Sequence, residues 1–278
     1  MLPLFDTDFC RIFAEKGLRG REKRDMMNKT EDGLEPVFRA AFAGLPEPIL
    51  LDQTESTNSV AKRLARQDAP AGTAVLARRQ SAGRGRLGKS FFSPEGGLYL
   101  SVIVRPELPP EELPMLTMLA AVTVCEVLET RCGVFPEIKW VNDLLLHGKK
   151  LCGILCEGAG RGIVIGIGLN YRLPKGGFPG ALSETACALE AQRQPPLPDL
   201  AADITRRLWQ QSRSFSKASV LRRYRERCRL PGREITVIPV SEEPYRARAL
   251  EITEDGALAV ETSCGRKLLL QSGEISVR

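Results

Sequence analysis

The 278-residue sequence is poor in histidine, the side chain that enzymes use most often for acid–base catalysis. It has a single histidine, His147, which lies beside a predicted turn and is expected to be a surface residue rather than a catalyst. Its 8 cysteines include no C-x-x-C pair and no zinc-like spacing, which excludes a cysteine-based zinc site. The chemistry of the protein is therefore predicted to use Lys, Arg, Asn and Asp side chains.

Long apolar runs are also missing. No run approaches the roughly 18 residues that a membrane helix needs, and the first residues carry Asp and Arg instead of the apolar core of a signal peptide. The cysteines lie mostly in apolar or helical segments, as buried thiols do in a reducing compartment. We therefore expect a cytoplasmic protein without a membrane partner. The net charge of +6 suits an anionic ligand and a nucleic acid equally and decides for neither.

The sequence divides into three regions by pattern. Residues 1–46 show no clear apolar period and balance 8 basic against 8 acidic residues, which predicts a mobile N-terminal extension without a DNA-reading head. A start at Met27 would make the residues before it an upstream extension. Residues 47–229 alternate strands and helices, and residues 230–278 hold short strands around a hairpin turn at Asp255-Gly256.

The strands of the middle region cluster together with helices around them, which predicts an α+β domain with a mixed sheet rather than a doubly wound parallel sheet. A long apolar helix is expected from about Glu111 to Arg131, with Pro114 in its first turn. The C-terminal region predicts a small β-barrel or sandwich. The strands expected in the middle region are 48–53, 73–79, 98–105, 137–141, 150–158 and 162–170, and the other helices follow Ser56-Thr57-Asn58 or span about 198–212 and 217–228.

The segment SAGRGRLGKS, residues 81–90, matches two phosphate-binding patterns. Gly83, Gly88, Lys89 and Ser90 satisfy the P-loop pattern. Gly83, Gly85 and Gly88 satisfy G-x-G-x-x-G, the dinucleotide-binding pattern. Both patterns need a helix after the loop, because the helix N-terminus supplies the amides and the dipole that hold phosphate. Here a proline and two glycines precede another strand, so both interpretations are excluded. The arginines between the glycines need another explanation.

Polar side chains and glycines also interrupt strands that are otherwise apolar. Lys139, Asn142 and Asp143 end one strand, and Lys150 opens the next. Glycine weakens a strand unless something must lie close to the backbone, and three positions raise this question: Gly153, Gly166 and Gly168. Taken singly, the lysines are explained as edge-strand charges and the glycines as bulges or packing positions. Taken with the loop, they predict a sheet floor of bare backbone for a flat ligand, with lysines for its anionic oxygens.

These segments, taken in order, resemble a known family. STN at 56–58, GRGRLGKSFFSP, KWVNDLLL, GKKLCGIL, GIGLN and a final SGEIS are similar to biotin–protein ligases, over about residues 48–278. The resemblance implies a mixed sheet with flanking helices, like that of class II aminoacyl-tRNA synthetases, followed by an SH3-like barrel. It implies formation of biotinyl-5′-AMP from biotin and ATP with Mg²⁺, then transfer to a lysine of a carboxylase or decarboxylase biotin carrier domain. Residues 1–46 then indicate the type without a DNA-binding domain, with no DNA partner and a possible homodimer.

The resemblance also implies site residues. Ser56, Thr57, Asn58 and Gln80 are expected at the biotin end of the ligand. The full implied binding set is Ser56, Thr57, Asn58, Gln80, Gly83, Arg84, Gly85, Arg86, Trp140, Asn142, Lys150, Gly153 and Gly166, and the implied catalytic set is Arg84, Arg86, Lys139, Lys150 and Asp143. Within these sets, Lys150 would bind the carboxylate and the developing phosphate charge, and Asp143 would align or deprotonate the acceptor lysine. No metal ligand is identified.

The sequence departs from the common family pattern at three positions. Val141 stands where proline is usual, Phe91 where tryptophan is frequent, and Lys89 where arginine is frequent. Three other functions fit parts of the sequence: a lipoate–protein ligase, a biotin-sensing transcriptional regulator and a basic nucleic-acid-binding module. The loop and the C-terminal strands favour biotin over lipoate, and a nucleic-acid-binding module leaves the strand glycines unexplained.

Overall fold

The computed structural model describes residues 34–189, 191, 194–239, 243–271 and 274–277. Its helices are α1 (Leu34–Ala41), α2 (Thr57–Arg66), α3 (Met115–Cys132), α4 (Leu182–Thr185), α5 (Leu197–Arg213) and α6 (Lys217–Arg227). The strands are β1 (Ile49–Thr54), β2 (Ala74–Gln80), β3 (Leu98–Val104), β4 (Glu137–Lys139), β5 (Asp143–Leu146), β6 (Lys149–Ala159), β7 (Gly162–Leu169), β8 (Glu234–Ile238), β9 (Tyr245–Ile252), β10 (Leu258–Thr262), β11 (Lys267–Leu270) and β12 (Glu274–Val277).

The larger sheet is mixed and has the strand order β1-β2-β3-β7-β6-β5-β4. Strands β1 and β2 run parallel because α2 connects them, and the remaining neighbours pair antiparallel. The hairpin of β6 and β7 pairs from Cys152 with Leu169 to Ala159 with Gly162, at the centre of the sheet. The prediction of an α+β fold with a mixed sheet and flanking helices is confirmed.

Helix α2 covers one face of this sheet. Its apolar residues recur at helical spacing, so Val60, Ala61 and Leu64 are buried against strand residues that include Val75 and Ile103. Burial of a valine or leucine side chain contributes about 1.5–3 kcal/mol. This packing brings the start of α2 over the centre of the sheet. Ser56 occupies the N-cap position with an extended backbone, but its side chain makes no capping hydrogen bond among the described residues.

The opposite face of the sheet carries the main core. Helix α3 is apolar on all sides because it lies between the sheet and the helices α5 and α6. Pro114 immediately precedes α3, and a short 3₁₀ turn at Pro110–Glu112 stands where the sequence predicted the first helical turn. Proline fits there because the first residues of a helix need no backbone donor.

The C-terminal strands form a second sheet, antiparallel throughout, in the order β11-β10-β9-β8-β12. Its apolar side chains, among them Val237, Ala249 and Leu258, belong to the same core cluster as α3. The turn Asp255-Gly256 lies against the larger domain, where Lys217 Nζ is 2.7 Å from Asp255 Oδ1. The second sheet is thus packed onto the first part of the chain.

Two features differ from the sequence predictions. Helix α1 places Phe38 and Phe42 in the main core, 8% and 2% exposed, so the expectation that the chain before residue 47 has no apolar face to pack is wrong for residues 34–46. Residues 1–33, which carry the rest of the predicted extension, lie outside the described residues. The predicted strand 137–141 ends at Lys139, and the chain turns into β5, a strand that the sequence analysis did not predict.

Candidate active site

A single cleft collects most of the residues that the sequence singled out. Its floor is the central hairpin of β6 and β7, and its walls are the start of α2, the loop 83–91 and the turn between β4 and β5. Its lining includes these predicted residues: Ser56, Thr57, Asn58, Gln80, Arg84, Gly85, Arg86, Lys139, Asn142, Asp143, Lys150, Gly153 and Gly166. The cleft therefore joins residues that range from position 56 to position 168 of the sequence.

One end of the cleft is neutral and closely hydrogen-bonded. The Gln80 side chain accepts from Thr57 N at 2.8 Å and from Thr57 Oγ1 at 3.2 Å, and its amide donates to Ser93 Oγ at 2.9 Å. Ser101 Oγ, fully buried on β3, lies 2.8 Å from Thr57 Oγ1 and 2.6 Å from Asn58 Oδ1. These side chains are thus held in fixed orientations before any ligand arrives.

Asn58 connects the neutral end to a partly buried acid. Its side-chain amide donates to Glu157 Oε2 at 2.9 Å and to the Leu155 carbonyl at 3.2 Å. Lys62 Nζ lies 2.7 Å from Glu157 Oε1, and Arg84 lies 3.3 Å from the same oxygen. Burial raises the pKa of the Glu157 carboxyl, but the hydrogen bonds from Lys62 and Asn58 and the charges of Lys62 and Arg84 outweigh it. The net result is a lowered pKa, so Glu157 is ionised at neutral pH.

The loop 83–91 is a compact turn rather than a phosphate loop. Phe91 N donates to the Gly83 carbonyl at 2.8 Å, and Gly85 N donates to the Lys89 carbonyl at 2.7 Å, which closes the segment on itself. Leu87 has φ 54°, in the left-handed region, and is half exposed. The described chain continues from the loop to β3 without a helix, in agreement with the exclusion of both phosphate-loop patterns.

The other end of the cleft is cationic. Arg86 donates to Asn142 Oδ1 at 3.3 Å, and Asn142 donates to the Ile154 carbonyl at 2.9 Å, so the loop is tied to the floor. Burial lowers the pKa of the Arg86 guanidinium from its ordinary value, and the charge of Asp143 partly opposes this shift. An incompletely solvated guanidinium is well suited to bind an anion.

Lys150 and Asp143 form an ion pair at this cationic end. Lys150 Nζ lies 2.8 Å from Asp143 Oδ1, yet the angles are not those of a hydrogen bond, and this buried oxygen accepts none from the described residues. Lys150 Nζ also lies 5.8 Å from the centre of the Phe91 ring. The Lys150 carbonyl accepts from Asn170 Nδ2 at 3.2 Å and from Cys187 N at 3.0 Å, which fixes the start of β6.

The strand glycines leave room for protein side chains as well as for a ligand. A Cβ added at Gly166 would overlap Asn58 Oδ1, and one at Gly168 would lie 2.6 Å from the Phe91 ring. A Cβ at Gly153 would lie 3.1 Å from the other edge of that ring. The prediction of a bare floor is therefore incomplete, because Asn58 and Phe91 already lie against these glycines.

Two predicted binding residues do not line the cleft described here. Gly83 is the first residue of the loop, where a Cβ would overlap the Phe91 carbonyl and Ser93 Oγ, so the absence of a side chain there lets the loop close. Trp140 is only 3% exposed and donates from Nε1 to the Gly256 carbonyl at 3.0 Å. This hydrogen bond holds the ring against the C-terminal sheet, and the ligand contact that the resemblance implies for Trp140 stays a prediction.

Sequence reasoning missed Glu157 and gave Asn170 no role. Glu157 lies in CEG at the end of an apolar strand, and the only signal was a charged residue within a strand predicted to be buried. Its contacts with Asn58 and Lys62 span 99 and 95 positions of the sequence, which no local pattern reveals. Asn170 closes the GIGLN motif and is 8% exposed.

Among the described residues, the cysteines form no disulfide and the His, Cys, Asp and Glu side chains form no metal-binding group. The cysteines in the described residues are free thiols, and burial raises the pKa of Cys156 and of Cys228 to about 11. No group of three or more His, Cys, Asp or Glu side chains that could hold a metal ion occurs in the same residues. Among the described helices, none combines the length and apolar character needed to cross a membrane.

The residues that form the cleft lie in a segment that is similar to a known protein family. Residues 50–170 match the sequence profile of the Biotin/lipoate A/B protein ligase family, and this range holds the whole lining of the cleft. The segment that lines the cleft is therefore similar to that family. A curated relative from Bacillus spizizenii, named as a bifunctional ligase/repressor BirA, is 42% identical over 147 residues, which cover 51% of this chain and 45% of the relative. The chain thus spans about half the length of the relatives first matched.

Two matches that cover most of this chain are to biotin enzymes. A biotin--[acetyl-CoA-carboxylase] ligase of Mycobacterium tuberculosis is 29% identical over 256 residues, which cover 88% of this chain and 94% of the relative. The solved biotin protein ligase from Aquifex aeolicus, in complex with biotin and ATP, superposes with a TM-score of 0.70 at 26% identity. That match covers 83% of this chain and 98% of the other.

Proposed function

We propose that the protein is a biotin–protein ligase, which activates biotin with ATP to biotinyl-5′-AMP and transfers the biotinyl group to a lysine of a carrier protein. The observation that carries this proposal is the cleft itself, which joins a neutral hydrogen-bonding end to a cationic end. Such a cleft suits a ligand with a neutral polar head and an anionic phosphate tail. The biotin enzymes among the matched proteins support the same assignment.

The neutral end is proposed to hold the biotin ring system. The donors and acceptors there come from Thr57, Asn58 and Gln80, which are oriented by Ser93 and Ser101. Because these groups are already in position, little rotamer freedom remains to be lost when a ligand binds. Ser56 at the start of α2 completes this end.

The cationic end is proposed to carry the first reaction step. The biotin carboxylate attacks the α-phosphorus of ATP, the acyl–phosphate bond forms and pyrophosphate leaves. Lys150 and Arg86 face the region where negative charge grows on the phosphoryl oxygens, with Arg84 and Lys139 beside them. A cation placed where charge develops stabilises the transition state more than the ground state.

The second step is transfer to the carrier. The amine of the acceptor lysine attacks the acyl carbon, the new amide bond forms and AMP leaves. We propose that Asp143 takes the proton released by the amine, because it is the carboxylate among the described residues that line the cleft, where Lys150 Nζ holds its Oδ1 at 2.8 Å. The carrier is proposed to be the biotin domain of a carboxylase, the substrate class in the names of several relatives.

The fit of ATP and Mg²⁺ follows from the donor set. The cluster of lysines and arginines suits a polyphosphate, whereas one aspartate in the cleft cannot make a metal cage. Mg²⁺ commonly binds through one or two carboxylates together with substrate phosphates, so Asp143 and the ATP phosphates would hold it, and it would neutralise phosphate charge there.

Two further expectations complete the proposal. The five C-terminal strands are proposed to form an SH3-like barrel appended at about residue 230 to a catalytic domain of residues 47–229 related to class II aminoacyl-tRNA synthetases. Helix α1 is added to that domain because its phenylalanines belong to the core. A possible homodimer, the absence of DNA binding and a cytoplasmic location remain predictions.

ATP–pyrophosphate exchange tests the proposed function. Purified full-length protein is incubated with ATP, Mg²⁺ and labelled pyrophosphate, together with biotin or with lipoate in separate reactions. We expect exchange with biotin and little with lipoate. Stimulation by lipoate and not by biotin would assign the protein to the other branch of its family.

A further inference from the structure

Glu157 holds two cations of unequal freedom. Lys62 Nζ and the Arg84 guanidinium contact the same carboxylate oxygen, at 2.7 Å and 3.3 Å. The Lys62 side chain is 19% exposed and the Glu157 side chain 16%, whereas that of Arg84 is 49% exposed. The lysine pair is therefore the closer and better-buried one, and the arginine is the partner that can leave.

The two cations also belong to different parts of the site. Lys62 lies on α2, which is packed on the sheet, and Arg84 lies on the loop beside the cleft. The second oxygen of Glu157 accepts from Asn58 Nδ2 at 2.9 Å, so the carboxylate keeps a donor on each oxygen when Arg84 moves away. A buried carboxylate that lost its only cation would be costly, and Lys62 removes that cost.

From this arrangement we propose that Glu157 is a positioning residue, which holds Arg84 until a ligand binds and then releases it to the anionic group of that ligand. Lys62 is the counter-ion that makes the release possible. The inference rests on the proposed function, because the ligand anion is the biotin carboxylate or the phosphate that later joins it. It assigns roles to Glu157 and Lys62, two residues outside the implied catalytic and binding sets.

The exchange predicts opposite effects for two substitutions at one ion pair. Lys62→Met leaves Glu157 with Arg84 as its remaining cation, so Arg84 is held more tightly and biotin binds more weakly, by a factor of about 5 for a modest coupling between neighbours. Glu157→Gln frees Arg84 while its side-chain oxygen can still accept from Asn58, so biotin binds more tightly. A purely structural role would weaken binding in both variants.

Calorimetric titration of the full chain tests the proposal, with biotin as the anionic probe and biotinamide as its neutral counterpart. We expect Lys62→Met to lower the affinity for biotin and Glu157→Gln to raise it. The affinity for biotinamide should change less than twofold in both variants. Arg222→Met and Glu95→Gln are matched controls, since each removes the same charge from an exposed ion pair outside the cleft, with Glu226 and with Arg78. Both controls should bind biotin as the wild type does.

An Arg84→Gln background distinguishes the proposed transfer of Arg84 from a direct electrostatic effect of Lys62 on the ligand. There the Lys62→Met change should no longer alter biotin affinity, because no arginine is left to be exchanged. Shifts in the same direction for both substitutions, equal shifts for biotinamide, or a Lys62→Met effect that persists without Arg84 would overturn the inference alone. A wild-type protein that binds neither probe would contradict the proposed function and this inference together.

Discussion

The two ends of the cleft are built in different ways. At the neutral end, Thr57 and Asn58 are each 4% exposed and Ser101 is fully buried, and their polar groups are hydrogen-bonded to one another. At the cationic end, the Lys150 side chain is 36% exposed, and that of Arg84, on the loop beside the cleft, is 49% exposed. The neutral end is therefore prepared for a ligand, whereas the cationic end can rearrange around one.

This difference suggests a division of work. A rigid neutral site contributes binding energy that is equal in the ground state and the transition state, whereas cations near a reacting phosphate act mainly in the transition state. Substitutions at the two ends should then separate ligand affinity from the rate of activation.

The largest expected effect is at the cationic end. Lys150→Ala should lower the rate constant of biotin activation by roughly 10²–10³, the usual cost of removing one well-placed electrostatic group. Single-turnover formation of biotinyl-AMP, with biotin titrated, measures the rate constant and the affinity separately. Lys149→Ala, an exposed neighbour on the same strand, is the control. A normal rate constant with weaker biotin binding would show that Lys150 only binds.

A steric change at the neutral end should weaken biotin binding. Gly166→Ala places a Cβ against Asn58 Oδ1, and forcing a methyl group into a packed site costs about 1–3 kcal/mol. Biotin affinity measured by calorimetry should fall by the corresponding factor, roughly 5 to 150, with a smaller change in the rate constant. Gly158→Ala serves as the control, since no described atom lies within 4 Å of a Cβ built there. Wild-type affinity in Gly166→Ala would show that Asn58 is not held for the ligand.

Arg86 tests whether the cationic end retains the intermediate. Arg86→Gly removes the hydrogen bond to Asn142 and makes the closed loop entropically costlier, so biotinyl-AMP should form and then escape about tenfold faster, the value of one charged hydrogen bond. The escaped intermediate should label lysines of serum albumin, detected by blotting for biotin. Arg86→Lys keeps the charge without the fork and should label less. Unlabelled albumin with normal biotinyl-AMP formation would remove Arg86 from this role.

The smallest effect is expected outside the cleft. Trp140→Phe removes the hydrogen bond to the Gly256 carbonyl, worth about 1 kcal/mol, and should lower the melting temperature by about 2–4 °C. Biotin and ATP affinities should stay unchanged, because the ring lies on the interface with the second sheet. A loss of ATP affinity with an unaltered melting temperature would return Trp140 to the ligand site.

Local patterns predicted most of the elements of the middle region. Strands β1, β3 and β7 begin and end within one residue of their predicted limits, because alternating or continuous apolar runs bounded by glycine and polar residues define them. Strand β5 was missed because it is four residues long and follows a tight turn. Helix α1 was missed because its apolar residues form too short a run to show a period, and only contact with α5 and the core gives it a buried face.

The sequence predicted those site residues whose types are unusual for the strand or loop in which they lie. Lysines at strand ends, glycines within strands and arginines among loop glycines are all locally unexpected, and most of these residues line the cleft. Glu157 gave only a weak local signal, a charged residue within an apolar strand, because its role depends on three donors that come from distant segments. For Trp140, the position next to Lys139 in the sequence gives no information about the side to which the ring turns, which in the structure is the side of the second sheet.

The sequence by itself determined the α+β class of fold and most of the segments that line the cleft. These follow from composition and from spacing along a chain, which are local properties. Only the tertiary structure decided that Asn58 and Phe91 lie against the strand glycines, that Trp140 turns to the second sheet, and that Glu157 joins Lys62 to Arg84. Each of these depends on which distant side chains meet, and that is set by the packing of the helices and the second sheet around the core.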